Sequence, residues 1–123
     1  MTNETPDQLV NGLRQTIIAM VRSDDTDLSS RQLGVFLTVY LVSEQQTVRG
    51  LAAALNVSKP AITRALDRLA EFDYIRRKTD PLDRRSVFIQ RTGPGTTYLR
   101  QLKHIVAVAH NGDPAHRVKH PAK

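Results

Sequence analysis

Two short helical segments joined by a tight turn constrain this chain more than any other feature. Thr47 can cap a helix over Val48–Leu55, Asn56-Val57 breaks it, and Ser58 caps the next, with Pro60 tolerated in its first turn. Ala52 is small enough to let two helices approach, and Asn56 four residues later is a residue type that accepts a left-handed turn conformation. Val57 and Ile62 can plug the angle between the helices. Ile62, Ala65, Leu66, Leu69 and Ala70 form an apolar stripe, while Lys59, Thr63, Arg64, Asp67 and Arg68 fall on the opposite side. This is the spacing of a helix-turn-helix over residues 47–72. Its second helix can offer its N-terminal residues to a DNA major groove, and its dipole end and free N–H groups suit a phosphate.

The flanking sequence predicts the rest of the framework. Thr5-Pro6-Asp7-Gln8 reads as a capping box, followed by Leu9, Leu13, Ile17 and Met20/Val21 on a helix to about Arg22. Ser29-Ser30-Arg31-Gln32 is a second capping box, with Leu28 and Leu33 placed to form a hydrophobic staple. Residues 33–42 are apolar on almost every side, which predicts a central, buried helix. After Phe72-Asp73 the period shortens. Tyr74–Thr79 and Ser86–Thr92 read as two strands of a hairpin whose tip is Asp80–Arg85. Thr92-Gly93-Pro94-Gly95 opens a last helix bearing Leu99, Leu102, Ile105, Val106 and Ala109, which Asn111-Gly112 can end with a left-handed cap. The predicted fold class is α+β, mostly helical: a winged helix-turn-helix with a two-stranded wing over 74–92 and flanking N- and C-terminal helices. One domain is expected over 1–112, with a disordered tail over 113–123. The terminal helices are candidates for either a core seam or a dimer seam.

Charge narrows the partner. The whole chain carries +6, but residues 1–47 sum to −3, residues 48–91 to +5 and residues 92–123 to +4. The basic part coincides with the helix-turn-helix and the hairpin, where Arg76, Arg77, Lys78, Arg84, Arg85 and Arg91 decorate the ribbon. A basic ribbon behind a helix-turn-helix can lie along the backbone of a duplex and place an arginine in the narrow minor groove. Asp83 is suited to hold one neighbouring guanidinium in a fixed orientation. There are no cysteines, which excludes disulfides, thiolate zinc sites and a cysteine nucleophile. The polar, acidic N-terminus and the lack of a long apolar run predict neither a signal peptide nor a membrane span, and a cytoplasmic location at the nucleoid is expected.

These residues together resemble the MarR family of bacterial winged-helix transcription regulators. The resemblance is carried by Leu28-Ser29-Ser30-Arg31-Gln32, by Thr47-Val48-Arg49-Gly50-Leu51-Ala52, by Val57 through Leu69, and by Asp80-Pro81-Leu82-Asp83-Arg84-Arg85-Ser86. It covers roughly residues 28–95. The chain departs from it after the second wing strand, where Arg91-Thr92-Gly93-Pro94-Gly95 stands, and in having only one helix after the wing. The resemblance implies sequence-specific binding of double-stranded DNA by a homodimer, with the recognition helix in the major groove and the wing in the minor groove. On that reading Lys59 and Arg64 contact base edges or flanks. Ser58, Thr63 and Arg68 anchor phosphates, with Pro60 shaping the helix start. Arg84 or Arg85 enters the minor groove beside Asp83, and Arg49 and Arg77 touch the backbone.

Each of these residues also has a plainer reading. Mixed charges on a helix face are commonly just solvated, and charged side chains on a hairpin keep its edge soluble. His104, His110, His116 and His120 have no carboxylate or thiol set beside them, so no metal site is expected. Gly93-Pro94-Gly95 lacks the strand, spacing and lysine of a phosphate loop. No hydroxyl has a base and an orienting group in sequence context, so no enzyme activity and no cofactor are expected. A small-molecule effector is compatible with the sequence, but no residue marks one. The alternative functions are a winged-helix protein-interaction module and a nonspecific nucleoid-associated DNA binder.

Overall fold

In a computed structural model that describes residues 4–23 and 26–111, the element order is α1 (Pro6–Arg22), α2 (Ser30–Leu41), β1 (Gln46–Thr47), α3 (Val48–Leu55), α4 (Lys59–Glu71), β2 (Ile75–Asp80), β3 (Asp83–Arg91) and α5 (Gly93–Asn111). The chain divides into two compact units, 28–99 and the pair of segments 1–27 and 100–123. The expected cap at Gly112, the tail over 113–123, and His116 and His120 lie outside the described residues.

Local chemistry sets the helix boundaries. The Thr5 and Gln8 capping box and the Ser29 and Gln32 capping box are both formed, each with a hydroxyl accepting from a backbone N–H and an amide oxygen accepting in return. Thr47 caps α3 by accepting from the Gly50 N–H at 3.0 Å, and Ser58 caps α4 by accepting from the Ala61 N–H at 3.2 Å. Asn56 takes the left-handed conformation, φ 56° and ψ 48°. The Val57 N–H then donates to the Ala52 carbonyl and the Asn56 N–H to the Ala53 carbonyl, which together close α3 as a Schellman motif. Asp73 does the same for α4 at φ 59°, with the Tyr74 N–H on the Leu69 carbonyl and the Asp73 N–H on the Ala70 carbonyl.

The core of the 28–99 unit is built from Val35, Phe36, Leu51, Ile62, Leu66, Leu69 and Ile75, all essentially inaccessible to solvent. Phe36 stacks on Tyr40 with ring centroids 4.5 Å apart and meets Tyr98 edge-on at 5.2 Å. The expectation that α2 is buried on every side is corrected. Val35, Phe36, Val39 and Tyr40 are buried, but Leu41 and Val42 at its C-terminal end are exposed. The Arg91 guanidinium sits there instead, donating to the carbonyls of Val39 and Val42. A cation on the last carbonyls of a helix satisfies acceptors that have no partner within the helix. Arg91 is therefore a helix cap and not one of the ribbon's outward charges.

The sheet has a third strand beyond the two read from the sequence. Its order is β1-β3-β2, all antiparallel, with Gln46 opposite Ile89 and Thr47 opposite Phe88. β1 ties the turn before α3 to the base of the wing. β3 also starts earlier than expected, at Asp83, so the turn at the tip is only Pro81-Leu82. The register runs evenly from Ile75 opposite Arg91 to Thr79 opposite Val87, then jumps to Asp80 opposite Asp83. Arg84, Arg85 and Ser86 thus form a bulge on β3, a device that bends a strand and re-aims its side chains.

The first-to-last-helix unit has its own packing. Gly12 faces Ala109 across its interior, and Glu4 Oε1 lies 3.2 Å from His110 Nε2. Leu9, Val10, Leu13, Ile17 and Val21 of α1 and Val106 and Val108 of α5 remain exposed. No helix among the described residues is long and apolar enough to cross a membrane.

Candidate nucleic-acid interface

The second helix of the helix-turn-helix, α4, turns Ala61, Ile62, Ala65, Leu66 and Leu69 into the core. That leaves Lys59, Pro60, Thr63, Arg64, Asp67 and Arg68 on its exposed face, as the 3.6-residue period requires. Ser58 stands exposed at its start and Arg49 at the start of α3. The wing adds Lys78, Arg84 and Arg85, all exposed.

Ten basic residues lie between 48 and 91, and the structure sorts them by partner. Four are engaged within the fold. Arg68 pairs with Glu71 at 2.9 Å and lies 4.6 Å over the Phe72 ring. Arg76 faces Asp73, Arg77 pairs with Asp67 at 2.7 Å, and Arg91 caps α2. Arg49, Lys59, Arg64, Lys78 and Arg84 have no ion-pair partner among the described residues, and Arg85 meets Asp83 only at 3.5 Å with its side chain 84% exposed. An unpaired cation keeps its full charge for an outside anion. A paired one must first break its contact, although an exposed pair is worth only about 0.2–1 kcal/mol.

Asp83 acts chiefly within the bulge. Its Oδ1 accepts from the Arg85 N–H at 3.1 Å, its Oδ2 accepts from the Ser86 hydroxyl, and the Arg85 Nε contact is the longest of the three. It therefore shapes the bulge that carries Arg84 and Arg85 more than it grips a guanidinium. The Arg77–Asp67 pair is the feature that sequence reasoning missed. It ties β2 of the wing to the exposed face of α4 and takes Arg77 out of the outward set. Ten residues separate the two, so no local pattern links them. Lys78 is the converse case, a wing cation without an ion-pair partner among the described residues that no local pattern separates from its neighbours.

A prediction follows from that pair. Asp67→Ala removes a carboxylate from the exposed face and releases the Arg77 guanidinium. Binding to a nonspecific duplex is expected to tighten about three- to tenfold, with the salt slope steeper by about one ion. Titrations at several salt concentrations check this; unchanged affinity and slope would mean that the face is not in contact with DNA.

Among the described residues no group of three or more histidines, cysteines or carboxylates could hold a metal ion. The terminal-helix unit contains an open cleft of about 310 Å³ lined by Arg14, Ile18, Arg22, His104, Ile105 and Val108, among others. None of these residues is part of the basic surface.

Residues 30–87 match the model of the MarR family. No curated protein sequence matches the chain. Among solved structures, the chain is similar to a mutant MarR from E. coli complexed with operator DNA, at 24% identity over 85% of this chain and 71% of that one, with a TM-score of 0.64. It is similar to the transcriptional regulator Tm0710 from Thermotoga maritima at 20% identity, covering 89% of this chain and 75% of that one, with a TM-score of 0.62. A MarR-family transcriptional regulator from Rhodococcus sp. RHA1 gives 21% identity, 95% and 74% coverage, and a TM-score of 0.62. At these identities the structures establish a shared winged-helix fold.

Proposed function

We propose that this chain is a sequence-specific regulator that binds double-stranded DNA, a reading supported by the match of residues 30–87 to the MarR family model. The observation that carries the reading is the sorting of the basic residues. Cations without an ion-pair partner among the described residues stand at the start of α3, along the exposed face of α4 and on the wing, while others are used within the fold. α4 enters the major groove, where Arg64 and Lys59 reach base edges. Ser58, Thr63 and Arg49 meet phosphates. Arg84 or Arg85 occupies the minor groove. Arg68 and Arg77 contribute to the backbone only after exchanging their carboxylate partners. The MarR structure complexed with operator DNA supports a duplex as the partner.

A homodimer completes the proposal. The exposed apolar residues of α1 and α5 are the kind of surface that a second copy covers, and an inverted-repeat operator mirrors such a two-fold axis. The protein then works at the nucleoid in the cytoplasm. Arg64→Ala tests the major-groove part. It is expected to cost about 1–3 kcal/mol on the preferred duplex and much less on a scrambled one, by fluorescence anisotropy. Equal affinity of both proteins for both duplexes would remove the docking model. Weak, sequence-indifferent binding by the parent protein would favour a protein-interaction module or a nonspecific DNA binder instead.

A further inference from the structure

We propose that the Pro81-Leu82 tip of the wing is an apolar wedge that opens a base step from the minor-groove side and so selects the sequence beneath it. The inference rests on the DNA-binding reading above and names a specificity residue for it. Leu82 is 94% exposed, the most exposed of the large apolar residues described. A single exposed leucine is ordinary on a protein surface. This one is unusual in how firmly its backbone is held.

Pro81 fixes its own φ at the first position of the turn. Asp80 Oδ1 accepts from the Leu82 N–H at 2.9 Å. On the other side, Asp83 accepts from the Arg85 N–H and the Ser86 hydroxyl. Both carboxylates at the tip are thus bonded to the turn itself. Arg84 and Arg85, both exposed, are carried on the bulge that follows. The result is a stiff apolar point with two guanidinium groups beside it. That combination fits one surface: a groove whose phosphates attract arginine and whose walls and base steps accept an apolar side chain. Leucine and proline are both residue types used to wedge and kink DNA from the minor groove. A flexible polar tip would lose entropy on ordering and would unstack nothing; this tip is already ordered.

The wedge has a consequence for specificity. Pyrimidine–purine steps unstack most readily, so one of them is expected beneath each wing, at a position read by no hydrogen bond. The test uses the full chain and the duplex enriched from a random pool, with binding read by anisotropy and bending by energy transfer between labelled duplex ends. Leu82→Asn keeps the branching and charge but not the apolar surface. It is expected to weaken binding about tenfold, leave the salt slope unchanged, reduce the bend, and abolish the preference for the pyrimidine–purine step. Leu82→Met keeps an apolar wedge and is expected to bind and bend like the parent. If Leu82→Asn binds and bends like the parent while Arg64→Ala still weakens binding, the wedge is wrong and the DNA reading stands. If the parent protein enriches no duplex, both fall together.

Discussion

Gly95→Ala is expected to destabilise the 28–99 unit by about 3 kcal/mol or more, a large fraction of the roughly 5–15 kcal/mol that holds a native domain folded. Gly95 lies in the first turn of α5, against the hydroxyl of Tyr40. The Tyr40 Oη donates to the Tyr74 carbonyl at 2.7 Å and accepts from the Thr92 N–H at 2.9 Å. Thr92 in turn caps α5 by accepting from the Gly95 N–H, and its own hydroxyl donates to the Asp73 carbonyl at 2.6 Å. A Cβ on Gly95 would collide with the Tyr40 hydroxyl and with the Tyr74 carbonyl oxygen. The second obstacle is backbone, which cannot rotate away. The glycine is required here for close approach and not for an unusual φ. Urea unfolding followed by circular dichroism is expected to show a lower midpoint with the same slope. Adding Tyr40→Phe removes the hydroxyl but leaves the ring carbon beneath it and the Tyr74 carbonyl in the way, so it is not expected to restore the parent midpoint. A Gly95→Ala protein as stable as the parent would mean that the helix start packs differently.

The largest expected effect on binding belongs to Arg84 and Arg85 replaced together. Each is exposed, and neither is held by a short ion pair among the described residues. A hydrogen bond to a charged group contributes about 1.5–3 kcal/mol, so losing one deeply placed guanidinium and one phosphate contact is expected to cost about 2–5 kcal/mol. The logarithmic salt slope is expected to fall by about two ions. Stability should barely change, because exposed substitutions of this kind usually stay within about 0.5 kcal/mol. Arg68→Ala makes the contrast. Arg68 is already occupied by Glu71 and the Phe72 ring, so its loss is expected to affect binding far less. Isothermal titration at two salt concentrations, beside a thermal melt, separates the two cases. Equal losses for Arg68→Ala and for the double variant would contradict the sorting of the basic residues.

Those contrasts also mark where the sequence was readable. Caps are local chemistry, so Thr5, Ser29, Thr47 and Ser58 announce the helix starts before any tertiary contact is known. Asn56 announces the turn for the same reason, since few residue types accept its φ. The helix-turn-helix and the basic wing were therefore legible. β1 was not, because two residues carry no alternation to read. The bulge on β3 was hidden for a related reason: a run of Arg84, Arg85 and Ser86 looks like loop until its register with β2 is seen. Composition could count the arginines but not assign them. Arg77 and Arg91 find partners ten and about fifty residues away, and only the folded chain brings those partners into reach. Gly95 reads as a helix-opening residue, whereas its requirement comes from Tyr40, on a different helix. Leu41 and Val42 extend an apolar run past the point where the core ends.

On the proposed reading, this basic surface recognises a DNA sequence as a two-fold dimer. Selection of bound duplexes from a random pool, at roughly 0.15 M salt where long-range attraction between exposed charges is screened, tests it most directly. Enrichment of an inverted repeat whose half-sites are spaced by about one helical turn is expected. A pool that stays random after repeated selection, with binding that vanishes as salt is raised, would contradict it.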